Sequence, residues 1–504
     1  MPTIAATNFN IVSSVLGGFV TVFGLVSYLL KERYYLSESL IALLVGIFFC
    51  HVANFIKPLD YADGDPDALA SITLDFTRLV LGVQLFITGI QLPRKYLRTE
   101  WKSLALLLGP IMTCMWLCSS LIIWLLVPDL PILHAMAIGA CVTPTDPVLS
   151  NSILKGRFAD KNVPKELQRI ITAESGANDG LGYPFLFIAL YLIQYTGEDS
   201  PGEAGGVAKA IGLWLGETWG YVIILSVVYG VAIGWIFQKV LHRAEERKFV
   251  DREYFLVFAI SVALFILGTC GTAGSDDVLA CFIAGNAFTW DDWFRLETMD
   301  DSLQPTIDML LNLSVFMWLG AVCPWSLFID NSIMPFSRLL VLGILILLFR
   351  RLPIILSMYK SIHQIGGLRD ALFVGFFGPI GISAMFYLYI SLEFLKSINK
   401  DGEREDTKRL EEVMTIVIWF LVICSIVIHG ITVPLGMLGM YLPRAISLSR
   451  SKGHAVVDSE PLLSGDHGLE DVTRSPSPQS PTADVGSSTD ILPRFSTASQ
   501  DLEL

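Results

Sequence analysis

The chain has 504 residues, of which 53% are hydrophobic and only 16% are charged, and its formal net charge is −13. Soluble domains carry about 25% charged residues, so this composition excludes an ordinary soluble protein. The acidic balance and the lack of a basic patch exclude nucleic acid as a partner. The apolar residues come in runs of about 20, the length that crosses a lipid bilayer, which predicts an all-α polytopic membrane protein.

We predict about 13 membrane-spanning helices, of which the ninth is short. Lys and Arg concentrate in the connections on one side, 22 against 7, which predicts that this side is cytoplasmic, with the N-terminus outside and the C-terminus inside. In chain order the predicted spans are 11–30, 37–56, 71–91, 103–127, 131–153, 167–195, 213–238, 254–273, 276–290, 305–323, 333–358, 369–391 and 413–442.

The composition changes near residue 445. Residues 446–504 are rich in Ser, Pro and acidic residues and poor in aromatic ones, a composition that cannot bury enough surface to fold. We therefore predict a transmembrane domain over 1–445 and a disordered cytoplasmic tail over 446–504. The eight cysteines show no C-x-x-C spacing, so neither a zinc site nor a disulfide framework is indicated, and no cofactor is expected.

Two predicted helices are interrupted by proline. The fifth breaks at TPTDP, residues 143–147, and the twelfth breaks at GFFGPIG, residues 375–381. Such backbone is tolerated at membrane depth only where protein or a water cavity surrounds it. Breaks in corresponding spans of two halves indicate a transporter with inverted repeats. We assign the first six and the last six spans to two such repeats, with the seventh as connector.

Carboxylates lie at membrane depth in the sixth span and beside the first break. They are Glu174, Asp179 and Asp146. A carboxylate at such depth costs about 2.5–3.5 kcal/mol on the insertion scale, so an ion or proton site is the default hypothesis. On a helix, Ser175 and Asp179 share one face, and Glu174 and Asn178 share the neighbouring face.

A single buried aspartate can run an exchange of cations. Hard cations such as Na⁺ want several oxygen ligands, and unwound carbonyls near residues 143–146 can add to those of the sixth span. Asp179 could then hold a proton or a Na⁺ or Li⁺ ion near neutral pH, but not both, and we predict that it is this competitive site. Gly176 and Gly180 form a small-xxx-small pair that lets another helix approach the same stretch.

Two arginines, Arg350 and Arg351, lie roughly 10 Å from the inner end of the eleventh span. A deep arginine needs a partner, and we pair Glu174 with one of them, preferably Arg351, as a structural salt bridge. Extension toward the inner headgroups is the expectation for Arg350 and the alternative for Arg351. Asp146 begins a half-helix, so we favour a capping role for it and keep direct ion ligation as the alternative.

Other acidic residues give weaker signals. Asp276 and Asp277 open the ninth span on its outer side, where either could line an entry funnel, although plain helix-start acids fit equally well. Asp75 and Arg78 are three residues apart in the third span and can neutralise each other along one helix face.

The stretch TPTDPV at 143–148, followed by ESGANDG at 174–180, resembles the cation/proton antiporter superfamily and, more narrowly, the fungal plasma-membrane Na⁺/H⁺ antiporters. The resemblance covers about residues 10–445. It implies a homodimer with a rigid dimerisation part and a core part that moves against it like an elevator. In the core part, the two interrupted helices, spans 5 and 12, are expected to cross at the ion site. The dimerisation part corresponds to about 11–91 and 213–323, and the core part to about 103–195 and 333–442.

The resemblance also implies roles for single residues. The ion-binding aspartate falls on Asp179 and the salt-bridge arginine on Arg351, although the arginine doublet leaves that register open. An Asn-Asp pair, where electrogenic bacterial members have Asp-Asp, favours electroneutral one-for-one exchange, but it does not settle stoichiometry among fungal relatives. The remaining site positions are Asn178, Ser175, Thr145, Asp146 and Glu174.

The expected function is a secondary active antiporter and not an enzyme. It would exchange Na⁺ and Li⁺, with K⁺ as a further candidate, for H⁺ by alternating access in the plasma membrane, in support of pH homeostasis and salt tolerance. An ion-coupled carrier of a small organic solute is the alternative, and it would want more polar residues in the tenth span or its counterpart. An intramembrane aspartyl hydrolase using Asp146 and Asp179 would need Gly-x-Gly-Asp, whereas residues 179–182 read Asp-Gly-Leu-Gly.

Overall fold

The computed structural model describes residues 7–30, 36–154, 163–196, 205–399 and 404–454, without side-chain positions for Tyr28, 151–154 and 433–454. The chain divides into two compact units, Met1–Leu442 and Pro443–Leu504. The first unit contains the crossing and all the candidate site residues. In the second, residues 443–454 are helical. The predicted tail therefore begins with a helical stretch over 446–454, and its remainder, 455–504, lies outside the described residues.

The described residues are mostly helical and contain no strand, as the composition predicts. Within the described ranges, eight helices are long and apolar enough to cross a membrane by length and composition. A helix or a set of consecutive helices matches each predicted span, while the count of thirteen stays a prediction. The α-helices are α1 Asn8–Tyr28, α2 Glu38–Ile47, α3 Pro66–Gln91, α4 Tyr96–Thr99, α5 Trp101–Leu106, α6 Met112–Leu126, α7 Ile132–Cys141, α8 Pro147–Leu154, α9 Lys165–Gly180, α10 Gly182–Thr196, α11 Gly206–Leu213, α12 Leu225–Glu246, α13 Arg252–Thr272, α14 Asp277–Phe288, α15 Trp293–Glu297, α16 Leu303–Val322, α17 Phe336–Phe349, α18 Leu352–Met358, α19 Leu368–Phe376, α20 Ile382–Ile398 and α21 Glu405–His454.

Short helices of other types supplement these α-helices. Three π-helical segments continue α2, α5 and α11, and three short 3₁₀ helices lie in the connections. The π-helical segments are Phe48–Val52, Leu107–Ile111 and Trp214–Ile224, and the 3₁₀ helices are Pro58–Ala62, Trp325–Phe328 and Tyr359–Ser361.

Both breaks predicted from proline are present. The fifth span ends as α7 at Cys141 and resumes as α8 at Pro147. The twelfth span ends as α19 at Phe376 and resumes as α20 at Ile382. The two breaks meet, because the amide of Asp146 donates to the carbonyl oxygen of Pro379 at 3.0 Å. This crossing of two interrupted helices positions the candidate site.

Close packing of α9 against α14 brings a further helix to the crossing. A Cβ atom at Gly176 would overlap the ring of Phe282, and one at Gly180 would overlap Leu279. The predicted small-residue pair therefore does admit another helix, and that helix is α14. A separate apolar core joins α14 to α3, α12 and α13, centred on aromatic residues that include Phe86.

Candidate functional site

Asp146 caps the two half-helices that begin at the crossing. Its Oδ1 accepts the N–H of Val148 at 3.1 Å in the first turn of α8, and its Oδ2 accepts the N–H of Ile382 at 3.0 Å at the start of α20. A buried carboxylate in this position offsets the positive ends of both helix dipoles. Gly381 makes room for it, since a Cβ there would overlap the carboxylate. The sequence indicated the cap on α8 but not the one on α20.

Thr145, Ser175 and Asn178 form one buried polar group that ties the first break to α9. The amide of Thr145 donates to Asn178 Oδ1 at 3.2 Å, and Asn178 Nδ2 donates back to Thr145 Oγ1 at 2.8 Å. The Thr145 and Ser175 hydroxyl oxygens are 3.1 Å apart. The structure thus brings these three predicted residues into direct contact, with several oxygen atoms at the crossing.

Asp179 lies one turn beyond Ser175 on α9 and is 1% exposed. Both of its carboxylate oxygens are buried without a hydrogen-bond partner among the described residues, and the same holds for the hydroxyl of Ser383 on α20. The Ser383 hydroxyl nevertheless lies near enough to act as a donor to this carboxylate, and Asp146 and Asp276 lie close enough to interact with it electrostatically. A buried carboxylate without an aligned donor is unstable as a bare anion, so this geometry calls for a proton or a bound cation.

Glu174 and Arg351 form a bidentate ion pair. Arg351 Nη1 and Nη2 lie 2.5 and 2.8 Å from Glu174 Oε1 and Oε2. The two side chains are 2% and 3% exposed, so the pair is shielded from water. Arg351 Nε also donates to the carbonyl oxygen of Val374 at 2.9 Å, which joins α9 and α19 through the kink between α17 and α18. Of the adjacent arginines, Arg351 is therefore the partner of Glu174.

Arg350 does not extend toward the headgroups, so that expectation is wrong. It is 2% exposed, and its guanidinium donates to the carbonyl oxygens of Val142 and Gly378, with that of Pro144 at 3.4 Å. These carbonyls follow the ends of α7 and α19, where the breaks leave acceptors without helical partners. The Arg350 guanidinium therefore supplies donors to free carbonyl oxygens of both breaks. The position of Arg350 within the eleventh span did not indicate these contacts, because they are made to backbone atoms of other spans.

Two residues of α21 fasten the second break and were also missed as a pair. Ser425 Oγ accepts the N–H of Ile380 at 2.7 Å. His429 Nε2 lies 3.1 Å from the carbonyl oxygen of Phe376, and its Nδ1 lies 2.8 Å from that of Ser425. The only sequence signal was a Ser and a His four residues apart in an apolar span. At the break, His429 therefore contacts the backbone through the carbonyl oxygen of Phe376.

Tyr387 of α20 supports the end of α9 beside Asp179. Its hydroxyl donates to the main-chain carbonyl oxygen of Asp179 and lies 3.4 Å from that of Gly180. Asp179 precedes the kink between α9 and α10, so this contact fixes the backbone that carries the carboxylate. No sequence spacing indicated it, because the two residues lie more than 200 positions apart.

Asp276 and Asp277 are both buried at the start of α14. Asp276 Oδ1 accepts the N–H of Leu279 at 2.9 Å as a helix cap, while its Oδ2 has no partner among the described residues. Asp277 accepts from Arg78 Nε at 2.6 Å. Arg78 thus makes its ion pair across helices, and Asp75 adds only a longer-range interaction.

Residues 19–437 match the profile of the family described as "Sodium/hydrogen exchanger, transmembrane". The chain belongs to this exchanger family. Similar proteins include Na⁺/H⁺ antiporter 2 of Zygosaccharomyces rouxii, 38% identical over 86% of this chain and 54% of that protein. The Na⁺/H⁺ antiporter of Saccharomyces cerevisiae is 35% identical over 88% and 45%. The chain thus spans about half the length of these relatives. A Na⁺/H⁺ antiporter of Schizosaccharomyces pombe is 29% identical over 87% and 93%.

A solved exchanger-like structure shows the same fold. The sodium proton antiporter MjNhaP1 of Methanocaldococcus jannaschii, at pH 8, matches with a TM-score of 0.58 over 85% of this chain and 98% of that one. The two sequences are 17% identical. At this identity the match establishes the architecture, and the family profile establishes the membership.

Proposed function

We propose that the protein exchanges Na⁺ for H⁺ across the membrane by alternating access, with proton and cation competing for Asp179. The observation that carries this proposal is the buried Asp179 carboxylate, whose two oxygens have no hydrogen-bond partner among the described residues. It lies on the helix that is tied to the crossing through Thr145, Ser175 and Asn178. Family membership and relatives named Na⁺/H⁺ antiporters support the same activity.

The cation would meet oxygen ligands from both sides of the crossing. Asp179 would supply the charge, and the hydroxyls of Ser175 and Thr145, which contact each other at the crossing, are the candidate neutral ligands. Each carboxylate oxygen of Asp146 accepts a hydrogen bond from a helix amide, which favours a capping role for this residue. Li⁺ and K⁺ are further candidate cations, because the same ligand types serve all three and selectivity rests on cavity size and flexibility.

The proposal includes a moving core and a stationary partner. The core part would comprise about 103–195 and 333–442, and the dimerisation part about 11–91 and 213–323 in a homodimer. We place the protein in the plasma membrane with the N-terminus outside, on the strength of the fungal relatives and the basic-residue bias. Asp276, buried within electrostatic reach of Asp179, is the better candidate for an entry path because Asp277 is engaged with Arg78.

The other two function classes gain no support from the described residues. Both carboxylate oxygens of Asp146 accept hydrogen bonds from helix amides. An aspartyl hydrolase would instead need this carboxylate to face a second catalytic carboxylate. The polar residues of the tenth span contact α2 and α3, through Asn312 and Asp308, and so do not extend the crossing into an organic-solute site.

The test is exchange by the purified protein in proteoliposomes. A pH gradient should dissipate on addition of Na⁺ and Li⁺, and the assay is repeated with K⁺ and with the membrane potential clamped. Asp179→Asn should abolish dissipation while the protein stays folded, and Asp300→Asn, which removes an exposed acid, should behave as wild type. A gradient that ignores all three cations would exclude antiport.

A further inference from the structure

A second group of polar side chains lies within the membrane-spanning bundle, on helices that do not form the crossing. α16 carries Gln304, Asp308 and Asn312, spaced four residues apart and therefore on one helix face. Gln84 of α3 contacts Asp308, and Ser39 of α2 contacts Asn312. All three helices belong to the proposed dimerisation part, and the exchange mechanism above gives these residues no role.

The amide group of Gln84 is hydrogen-bonded through its nitrogen, while its oxygen has no donor among the described residues. Its Nε2 donates to Asp308 Oδ1 at 3.0 Å and lies 3.4 Å from the Asp308 carbonyl oxygen. The side chain is 1% exposed, and its Oε1 has no hydrogen-bond partner among the described residues. An unsatisfied buried acceptor is destabilising, so this oxygen should meet a donor or a cation during the working cycle.

The group borders the helices of the ion site. Gln84 lies seven residues before the end of α3 at Gln91, and Asp308 five residues after the start of α16 at Leu303. At 1.5 Å per residue these positions are roughly 8–10 Å inside the helix ends, which the basic-residue bias assigns to the cytoplasmic side. α3 also packs against α8, which begins directly after Asp146, and against α9, which carries Asp179.

We infer that Asp308 and Gln84 form a second binding position for the transported alkali cation, which the ion occupies between the cytoplasm and Asp179. This inference rests on the proposed function. Asp308 supplies the negative charge. Rotation of the Gln84 amide by half a turn replaces Nε2 with Oε1 beside the carboxylate. The same side chain therefore satisfies Asp308 as a donor when the position is empty and ligates the cation when it is filled.

Asp308→Asn separates cation binding from a structural hydrogen bond, because asparagine keeps an acceptor for Gln84 Nε2 and removes only the charge. With Na⁺ supplied at the cytoplasmic face, the variant should raise the KM for Na⁺ about fivefold or more, with kcat within about twofold of wild type. With Na⁺ supplied at the outer face, the KM should not change. Asp300→Asn, an exposed acid just before α16, is the matched control and should leave both values unchanged.

Gln84→Met tests the amide oxygen at similar side-chain volume and should raise the same KM. An unchanged KM in Asp308→Asn, a loss confined to kcat, or an equal effect from both faces would overturn the second position and leave a structural hydrogen bond.

A binding measurement separates this inference from the proposed function. In the Asp179→Asn variant, Na⁺ should still raise the unfolding temperature relative to choline, and adding Asp308→Asn should remove that rise. If Na⁺ has no effect on Asp179→Asn, the second position is excluded whatever the exchange assay shows. If Na⁺ stabilises the Asp179→Asn variant but the wild-type protein performs no exchange, the second binding position is supported and the proposed antiport is wrong.

Discussion

The two adjacent arginines of the eleventh span make different contacts, and Arg351 belongs to a shielded ion pair with Glu174. Removing one partner leaves a buried charge alone, so Glu174→Leu or Arg351→Met should each cost about 3–5 kcal/mol of unfolding free energy. The double variant should cost clearly less than the sum of the two. Unfolding measurements on the wild type, the two single variants and the double variant complete this double-mutant cycle. Additive losses of unfolding free energy would show that the pair is not coupled.

Arg350 should stabilise the protein through its hydrogen bonds to backbone carbonyl oxygens at the two breaks and not through an ion pair with a carboxylate. Arg350→Met leaves the carbonyl oxygens of Val142 and Gly378 without their donor, at a cost of roughly 1–3 kcal/mol for each buried acceptor. Arg338→Met removes an exposed arginine from the same span and should change stability little. Thermal unfolding compares the two, and equal losses would contradict the assigned role of Arg350.

At the residue scale, the sequence predicted charged contacts better than backbone contacts. Glu174, Asp179 and Arg351 could be singled out because charges at membrane depth are rare and need partners. Ser425, His429 and Tyr387 were not assigned these contacts because they bind backbone atoms of distant segments, and no spacing along the chain records such contacts.

At the scale of helices, α9 depends on its two glycines for contact with α14. Gly176→Ala would push a methyl group into Phe282, and overpacking of this kind costs about 1–3 kcal/mol. Gly268→Ala on α13 meets no atom within 4 Å and should be neutral or slightly stabilising. Unfolding measurements that rank the two variants alike would argue against close α9–α14 packing.

The breaks in the fifth and twelfth spans were predictable because a proline within a helix removes a backbone hydrogen bond whatever the tertiary contacts of that helix are. Their meeting through Asp146 and Pro379 was expected only from the resemblance to a known family. The kink at Arg350 was not predicted, since Pro353 allows a bend without fixing its position.

At the scale of the whole molecule, the proposed movement of core against dimerisation part can be stopped by a covalent link. Lys396 of α20 and Asp67 of α3 form an ion pair of 2.5 Å across these parts, beside a cavity of about 630 Å³. In a variant without the eight native cysteines, joining Asp67→Cys to Lys396→Cys with a bismaleimide that contains a reducible disulfide, long enough to span a Lys–Asp ion pair, should block exchange until the linker is reduced.

The matched control for this link joins two residues of the core part. Ser103 Oγ and His363 Nδ1 are 3.2 Å apart, and joining Ser103→Cys to His363→Cys with the same linker should leave exchange intact. Full activity of the protein linked between positions 67 and 396 would contradict a moving core. The division into parts comes from the resemblance to a known family and not from composition, because apolar runs of about 20 residues occur in both parts.

The central claim is that a proton and a cation compete for one buried carboxylate, Asp179. The most direct test is the pH dependence of the KM for Na⁺ in proteoliposomes. Competition predicts that, on the acidic side of the midpoint, KM rises about tenfold for each unit of pH lowered while the maximal rate stays constant. A KM that does not change with pH, accompanied by a falling maximal rate, would show that proton and cation occupy separate sites.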